Sequence, residues 1–160
     1  MQHIANHLRE IIAKVTPQLR AISEAEAARK PRPEKWSPKE IIGHLVDSAA
    51  NNQQKFVRSM AQPHLDFVGY KQDFWVAAQR YNDGNWLTII DLWVALNRHL
   101  SHVIETVDPS VLDNTISIDG SAPFTLRFIM TDYAEHLTHH LRQVLPDAGL
   151  TSAFENVYNA

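Results

Sequence analysis

The 160-residue sequence contains no cysteine. The chain can therefore form no disulfide, and it offers neither a thiolate ligand to a metal nor a thiol nucleophile. Any metal site has to be built from histidine nitrogen or carboxylate oxygen. The missing cysteines also remove the usual indicator of an oxidising or reducing compartment.

Long apolar runs and an excess of positive charge are missing too. No run approaches the roughly 20 apolar residues that span a bilayer, and residues 1–7 lack the basic start and apolar core of a secretory signal. The formal net charge of -3 gives no electrostatic reason to bind nucleic acid. We therefore expect no membrane and no nucleic-acid partner, and cytoplasm is the default localisation.

The composition is typical of a globular protein, and the apolar residues recur with the periodicity of helices. With 44% hydrophobic residues, the chain is expected to form one domain over residues 1–160 around a hydrophobic core. Apolar residues recur at spacings of three and four in four segments, 3–28, 38–60, 86–107 and 126–145. Each apolar stripe must be buried against the others, which predicts an all-α four-helix bundle. Pro17 is expected to kink the first segment or end it early.

The start of the second segment is the clearest in the chain. Ser37 suits the N-cap, Pro38 the first helical position and Glu40 the third, which together make a capping box. Asn85 and Thr125 are N-cap candidates for the third and fourth segments. These caps indicate where the helices begin.

Two long connections separate the helices. Residues 61–85 are numerous enough to contain structure of their own, and a short helix is expected over residues 71–81. Residues 115–118 alternate in the manner of a strand before an Asp-Gly turn signal, which predicts a small hairpin near residues 115–124. Beyond the last helix, Phe154 and Tyr158 are expected to dock on the bundle.

Two histidines of the fourth segment are candidate metal ligands. His136 and His140 lie four residues apart in the fourth segment, so both project from one helix face. Neutral imidazoles so placed can bind one divalent metal together. The metalloprotease motif is absent, because Leu137 stands where that motif has glutamate. The alternative is a pair of boundary histidines that hydrogen-bond to neighbouring helices.

A third ligand could come from His44, near the start of the second segment. On a two-sided helix His44 would face solvent beside Asp47 and Ser48, whereas in a bundle a flank position can still face a cleft. Helix geometry alone favours the solvated placement. The other histidines are weaker candidates, because they lie at a terminus, off the apolar stripe or on the solvated face: His3, His7, His99, His102 and His139.

Several motifs together resemble the DinB/YfiT-like superfamily, and the likeness covers nearly the whole chain. The most specific are W-S-x-x-E-I-x-x-H-L-x-D-S at residues 36–48 and H-x-x-x-H-L-x-Q at residues 136–143. The resemblance implies a four-helix bundle, often homodimeric, in which three histidines bind a divalent metal. Nickel or zinc is the commonest metal, with iron or manganese as further possibilities. Carried onto this chain, the ligands would be His44, His136 and His140.

The resemblance also implies a choice of activities on a small-molecule substrate. The first is a thiol-dependent S-transferase in detoxification or stress response, using a low-molecular-weight thiol such as bacillithiol, mycothiol or glutathione as co-substrate. Coordination to a metal would lower the pKa of that thiol. The second is a metal-dependent hydrolase, and the third is a non-catalytic metal-binding or dimerising bundle. Asp47, one turn after His44, is a candidate catalytic group for proton transfer.

Overall fold

Four long helices form the frame of the protein. The computed structural model describes residues 1–155 and residue 157. In chain order the helices and strands are α1 (Gln2–Ala21), α2 (Glu24–Ala27), α3 (Pro38–Met60), β1 (His64–Phe67), α4 (Gln72–Gln79), α5 (Trp86–Thr106), β2 (Thr115–Ile118), β3 (Phe124–Thr125) and α6 (Leu126–Val144). Single 3₁₀ turns lie at Tyr81–Asp83 and Pro109–Val111.

The apolar stripes of the long helices meet in one core, which confirms the four-helix bundle. Helix α1 packs against α5 and α6, and α3 packs against the same two helices from the other side. The fully buried aromatic side chains come from three of the four: Phe56, Trp86, Trp93 and Tyr133. Burying each such side chain contributes about 1.5–3 kcal/mol. Helices α3 and α6 are thereby held next to each other along their length.

Helix α3 begins where the sequence predicts. The Ser37 side chain accepts a hydrogen bond from the Glu40 backbone N–H at 3.2 Å, and the Glu40 carboxylate accepts one from the Ser37 N–H at 2.8 Å. The predicted caps of α5 and α6 are present as well, with Asn85 accepting from Thr88 N–H and Thr125 from Phe128 N–H. The rotation of α3 about its axis is therefore defined from its first turn.

The predicted break of the first helix at Pro17 is wrong. Helix α1 continues through Pro17 to Ala21 and ends at Ile22, whose backbone is extended. A second capping box, between Ser23 and Glu26, then starts the separate helix α2. Local capping at Ser23 ends the first predicted segment more decisively than the proline does, because a proline can be accommodated within a helix that is packed on its neighbours.

The long connection contains the predicted short helix, α4, and a strand that the sequence did not predict. The hairpin of β2 and β3 is antiparallel as expected, with Thr115 opposite Thr125. Strand β1 adds to it in parallel, with Leu65 opposite Ile116. A four-residue strand offers too little alternation to be recognised before its partner is known. The sheet ties the connection to the start of α6.

The last described residues return to the bundle. The Phe154 ring lies 5.1 Å from the His136 ring centroid and 5.4 Å from that of His139, so the predicted docking of Phe154 is confirmed. Tyr158 lies outside the described residues. No helix in the described part of the chain has the length and apolarity to cross a bilayer.

Candidate metal centre

Helices α3 and α6 bring the three predicted ligands to one place. His44 comes from the second turn of α3, while His136 and His140 lie on successive turns of α6. The three ring centroids are 4.6–5.3 Å apart, and one nitrogen from each ring lies within 4.8 Å of the others. Among the described residues this is the one group of three or more histidine or acidic side chains with such convergence.

The spacing and the donor atoms fit a tetrahedral metal. The Nε2 atoms of His44 and His136 are 3.4 Å apart. Two ligand nitrogens at about 2.0–2.1 Å from a tetrahedral cation are separated by about 3.3 Å. Three imidazoles leave further coordination positions open, which is the catalytic rather than the structural arrangement. The residues present therefore suit a divalent metal such as zinc or nickel.

Nδ1 of His44 and Nδ1 of His140 are buried without a hydrogen-bond partner among the described residues. In His44 the other ring nitrogen, Nε2, faces His136, so a metal bound through Nε2 would leave Nδ1 unpaired. Nδ1 of His136, by contrast, lies 3.5 Å from the Ser48 hydroxyl. This contact directs the other ring nitrogen of His136 toward His44.

Burial keeps the three imidazoles neutral. It lowers the pKa of His44 to about 4. Burial, reinforced by the charges of His44 and His139, lowers the pKa of His140 to about 3. The pKa of His136 lies well below its usual value for the same first reason, with His140 and His44 adding to it. A neutral imidazole has a free lone pair, so all three rings are in the metal-binding form at neutral pH.

The two-sided reading of α3 placed His44 in solvent, and this is wrong. Its side chain is only 2% exposed. Helix α6 and Trp36, whose ring centroid lies 5.1 Å from that of His44, cover it. A helix in a bundle contacts two neighbours, so its buried arc is wider than its apolar stripe. The histidines of α1 and α5 are exposed, as expected: His3, His7, His99 and His102.

His139 lies between the two α6 ligands but outside the cluster. Its ring contacts Phe154, and its Nε2 is 3.3 Å from the side-chain nitrogen of Gln143. Its role as a bystander stays a prediction, and its ring packs against Phe154 although a solvated position was expected. His139 is therefore a matched control for substitutions at His136 and His140.

Asp47 points toward the long connection. Its Oδ1 accepts hydrogen bonds from the Tyr81 hydroxyl at 2.7 Å and from the Gln79 amide at 2.6 Å. Burial raises the pKa of Asp47, and the two hydrogen bonds oppose that shift. Its Oδ2 has no partner among the described residues. These contacts anchor the connection on α3 next to His44, while the proton-transfer role of Asp47 stays a prediction.

Gly43 makes that anchor possible. A Cβ atom at this position would lie 2.2–2.7 Å from the ring carbons of Tyr81, which no side chain tolerates. The aromatic ring therefore packs directly on the α3 backbone, one residue before His44. This contact could not be predicted, because Gly43 lies inside a helix and Tyr81 lies 38 residues further along the chain.

A surface groove of about 800 Å³ lies beside the histidines. It runs between the segment before α3 and the last turn of α6, and its lining residue Trp36 has its ring centroid 5.1 Å from that of His44. Basic and acidic side chains of the segment from α2 to α3 form its outer wall. A pocket of this volume accommodates a small organic molecule. Trp36 therefore contacts both the groove and the ring of His44, which its position before α3 did not predict.

The C-terminal segment covers another side of the cluster. The Ser152 hydroxyl donates a hydrogen bond to the Glu135 carbonyl at 2.9 Å, and the Ala153 N–H donates one to the Glu135 carboxylate at 2.8 Å. These bonds hold Phe154 against His136. Access to the open coordination positions is therefore limited by Trp36 on one side and Phe154 on another.

A four-helix bundle with three neutral histidines facing one point defines the class: a helical bundle with a candidate metal centre. The family model described as DinB superfamily matches residues 3–144. The chain therefore belongs to the DinB superfamily.

The fold is also that of a solved bacterial structure. YfiT from Bacillus subtilis superposes with a TM-score of 0.82 at 17% sequence identity, over 90% of this chain and 83% of that one. YfiT is described as a probable metal-dependent hydrolase with an unusual four-helix bundle topology. At this identity the likeness establishes the fold. No curated protein sequence matches the chain.

Proposed function

We propose that this protein is a metal-dependent enzyme that uses His44, His136 and His140 to hold one divalent cation, and that it hydrolyses a small-molecule substrate. The convergence of three neutral imidazole donors within 4.8 Å carries the proposal. A divalent metal held there supplies Lewis acidity, which polarises a substrate carbonyl or phosphoryl group and lowers the pKa of bound water. The description of YfiT as a probable metal-dependent hydrolase supports this choice.

The other residues of the site have supporting tasks in this proposal. Ser48 orients His136 through its Nδ1, and the Asp47–Tyr81 hydrogen bond holds the long connection against α3. Trp36 and Phe154 exclude water from two sides of the cluster. Excluding water strengthens every electrostatic interaction inside the site.

Metal analysis of protein purified without chelators is the first test. We expect close to one equivalent of zinc or nickel, and metal-dependent hydrolysis of at least one member of a panel of carboxylic esters, amides and phosphoesters. His44→Ala should lose both metal and activity, whereas His139→Ala should keep both. Full metal occupancy in His44→Ala would refute the three-histidine assignment.

Thiol transfer is the second candidate, and the groove beside Trp36 favours it. A volume of about 800 Å³ next to the cluster can receive a co-substrate in addition to an electrophile. A thiol would take the place of water at the metal, and the same three histidines would serve. Incubating metal-loaded protein with monochlorobimane and several low-molecular-weight thiols separates the two activities. Metal-dependent conjugation would support transfer, and its absence with every thiol would leave hydrolysis.

Assembly and localisation complete the proposal. We infer a homodimer in the cytoplasm, in keeping with the sequence-based expectation. Light scattering of the metal-loaded protein tests the assembly, with a mass near 36 kDa expected for two chains of 18.2 kDa. A metal-loaded protein with no activity toward any substrate would instead favour the non-catalytic bundle.

A further inference from the structure

The groove of about 800 Å³ reaches the three-histidine cluster from the end where α3 begins and α6 ends. Two of its lining residues show how close it comes. Ile41 precedes His44 by three residues on α3, and Gln143 follows His140 by three residues on α6. The Cβ atoms of residues three apart on a helix are about 5–6 Å from each other. The groove therefore lies within one helical turn of two proposed metal ligands, one on each helix.

Trp36 is the lining residue of the groove that also contacts a proposed ligand. Its ring centroid lies 5.1 Å from that of His44. The next residue, Ser37, caps α3 and donates a hydrogen bond to the Asn82 side chain at 2.6 Å, which fixes the backbone beside Trp36. The half-buried indole packs against the hydrophobic core. The indole is therefore a fixed wall that the groove and His44 share.

The lining of the groove favours an uncharged ligand body with apolar surface. Its charged side chains are three basic and three acidic, so the groove has no net charge with which to select an ion. Its apolar side chains are those of Pro31, Trp36, Pro38, Ile41 and Val144. Aromatic rings pair favourably when their centroids are about 4.5–7 Å apart. A flat aromatic group beside the indole therefore suits this surface.

The opposite approach to the cluster is obstructed. The Phe154 ring covers His136, the ligand one turn further from the groove than His140. The segment that carries Phe154 is held to α6 by hydrogen bonds from the Ser152 hydroxyl and the Ala153 N–H to Glu135. A ligand would have to break these bonds to enter there, whereas the groove is open to solvent.

We propose that Trp36 is a specificity-determining residue of the metal centre, and that the groove receives the aromatic body of a ligand whose metal-binding end reaches the histidines past the indole. The inference rests on the proposed function, because it takes the metal as the second point of attachment. It adds the class of substrate: a small molecule in which an uncharged aromatic body is joined directly to a metal-binding group. Trp36 contacts the ligand body in this assignment, and the metal ligands remain the three histidines.

The test compares two hydroxamates that share a metal-binding group and differ in their bodies. In cobalt(II)-loaded protein, binding of a hydroxamate changes the visible absorption of the metal, which can be titrated without any turnover. We expect benzohydroxamate to bind roughly tenfold more tightly than acetohydroxamate, since burial of a phenyl ring against an indole contributes about this much. Trp36→Leu keeps an apolar side chain against the core and should remove the preference by weakening benzohydroxamate alone. Trp36→Phe should retain most of it.

Trp75 provides the matched control. It is half-buried like Trp36, but its ring packs on Tyr70 with centroids 4.9 Å apart, and it lines a separate surface pocket. Trp75→Leu should leave both affinities unchanged, which separates the position of Trp36 from a general effect of losing an indole. Circular dichroism and cobalt stoichiometry show whether each variant is folded and loaded.

The possible results are distinct. Equal affinity of the wild-type protein for the two hydroxamates, or an equal loss of both in Trp36→Leu, would overturn the role of Trp36 while leaving the metal centre intact. A preference that Phe154→Ala abolishes and Trp36→Leu preserves would also overturn it, by placing the ligand body on the C-terminal side. A wild-type protein that binds no cobalt would overturn the proposed function, and the role of Trp36 with it. A preference that Trp36→Leu abolishes and Trp75→Leu preserves would support the assignment.

Discussion

The two helix pairs of this bundle differ in what they bury. In the α1–α5 pair, α1 buries only apolar side chains, and the buried Asn97 and Ser101 of α5 are hydrogen-bonded. The charges lie at the edge, where Arg20 pairs with Asp91. The seam between α3 and α6 buries polar groups in its interior. His44, Asp47 and Ser48 are each 2–3% exposed, and His44 and Asp47 contain atoms without a partner among the described residues.

The histidines of the two helix pairs also differ in how far they are buried. The histidines of α1 and α5 lie on exposed faces, where each imidazole is solvated. His44, His136 and His140, from α3 and α6, lie in the interior, where burial keeps their imidazoles neutral. Burying polar groups without partners lowers stability unless a ligand satisfies them. The first seam is therefore the one that stabilises the fold, and the second is where binding and chemistry are expected.

The largest effect is expected when a buried histidine of α3 is removed and compared with an exposed histidine of α5. His44→Ala should lower zinc affinity by on the order of a thousandfold, because each ligand of a zinc site contributes several kcal/mol. His99→Ala, on the exposed face of α5, should leave it unchanged. Competition titration against a chromophoric chelator measures both. Equal losses in the two variants would show that the seams do not differ in metal binding.

Acid should destabilise the apoprotein through the α3–α6 seam. The folded pKa of His44 is about 4, below the value of about 6.5 in an unfolded chain. As the pH falls below about 6.5, the His44 imidazole binds a proton in the unfolded chain but not in the folded protein. The free energy of unfolding therefore decreases until the pH nears 4. His44 alone accounts for a decrease of about 3 kcal/mol.

Urea denaturation of the apoprotein at a series of pH values measures this loss. His44→Leu should flatten the dependence between pH 6.5 and 4, and His99→Leu should not. A steeper dependence in His44→Leu would contradict the burial argument. Zinc at saturating concentration should shift the loss to lower pH in the wild-type protein, because the metal competes with protons for the same nitrogens.

Gly43→Ala tests how the long connection is fixed beside the site. The added methyl group would overlap the Tyr81 ring, and overpacking of this kind costs about 1–3 kcal/mol. Thermal unfolding should show a lower Tm. In a Tyr81→Ala background the same change should be neutral or stabilising, since alanine favours a helix more than glycine does by about 1 kcal/mol. A similar loss in both backgrounds would place the strain elsewhere.

The smallest effect is expected at the edge of the α1–α5 seam. Arg20 and Asp91 form an ion pair in which both side chains are well exposed, at 41% and 61%. Such pairs contribute between about 0 and 1 kcal/mol. Asp91→Asn should therefore change the free energy of unfolding only slightly, and still less in high salt. A loss as large as that of Gly43→Ala would mean that this seam also depends on its polar contacts.

The helices could be predicted closely because their signals are local. The cap at Ser37, the apolar stripe that follows and the proline and glycine after α6 all act within a few residues of the backbone they define. The exception at Pro17 arose because packing on neighbouring helices keeps α1 continuous through the proline. Strand β1 was not predicted because it forms by pairing with β2, which lies about fifty residues further along the chain.

The residues of the candidate site also divide into those that local signals predict and those that only the fold brings together. The pair of His136 and His140 follows from helix geometry, and the family resemblance added His44. The helical wheel alone favoured solvent for His44 and was wrong, since it describes one helix and the burial of His44 depends on α6 and Trp36.

Residue chemistry and spacing within single segments were enough to predict the four long helices, where most of them begin, and a site without any thiol. The separate helix α2 and strand β1 were not predicted. Which histidines converge, and the hydrogen bond between Asp47 and Tyr81, follow only from the folded chain. These depend on the relative rotation of α3 and α6, which is set by packing across the core and is not encoded in either helix alone.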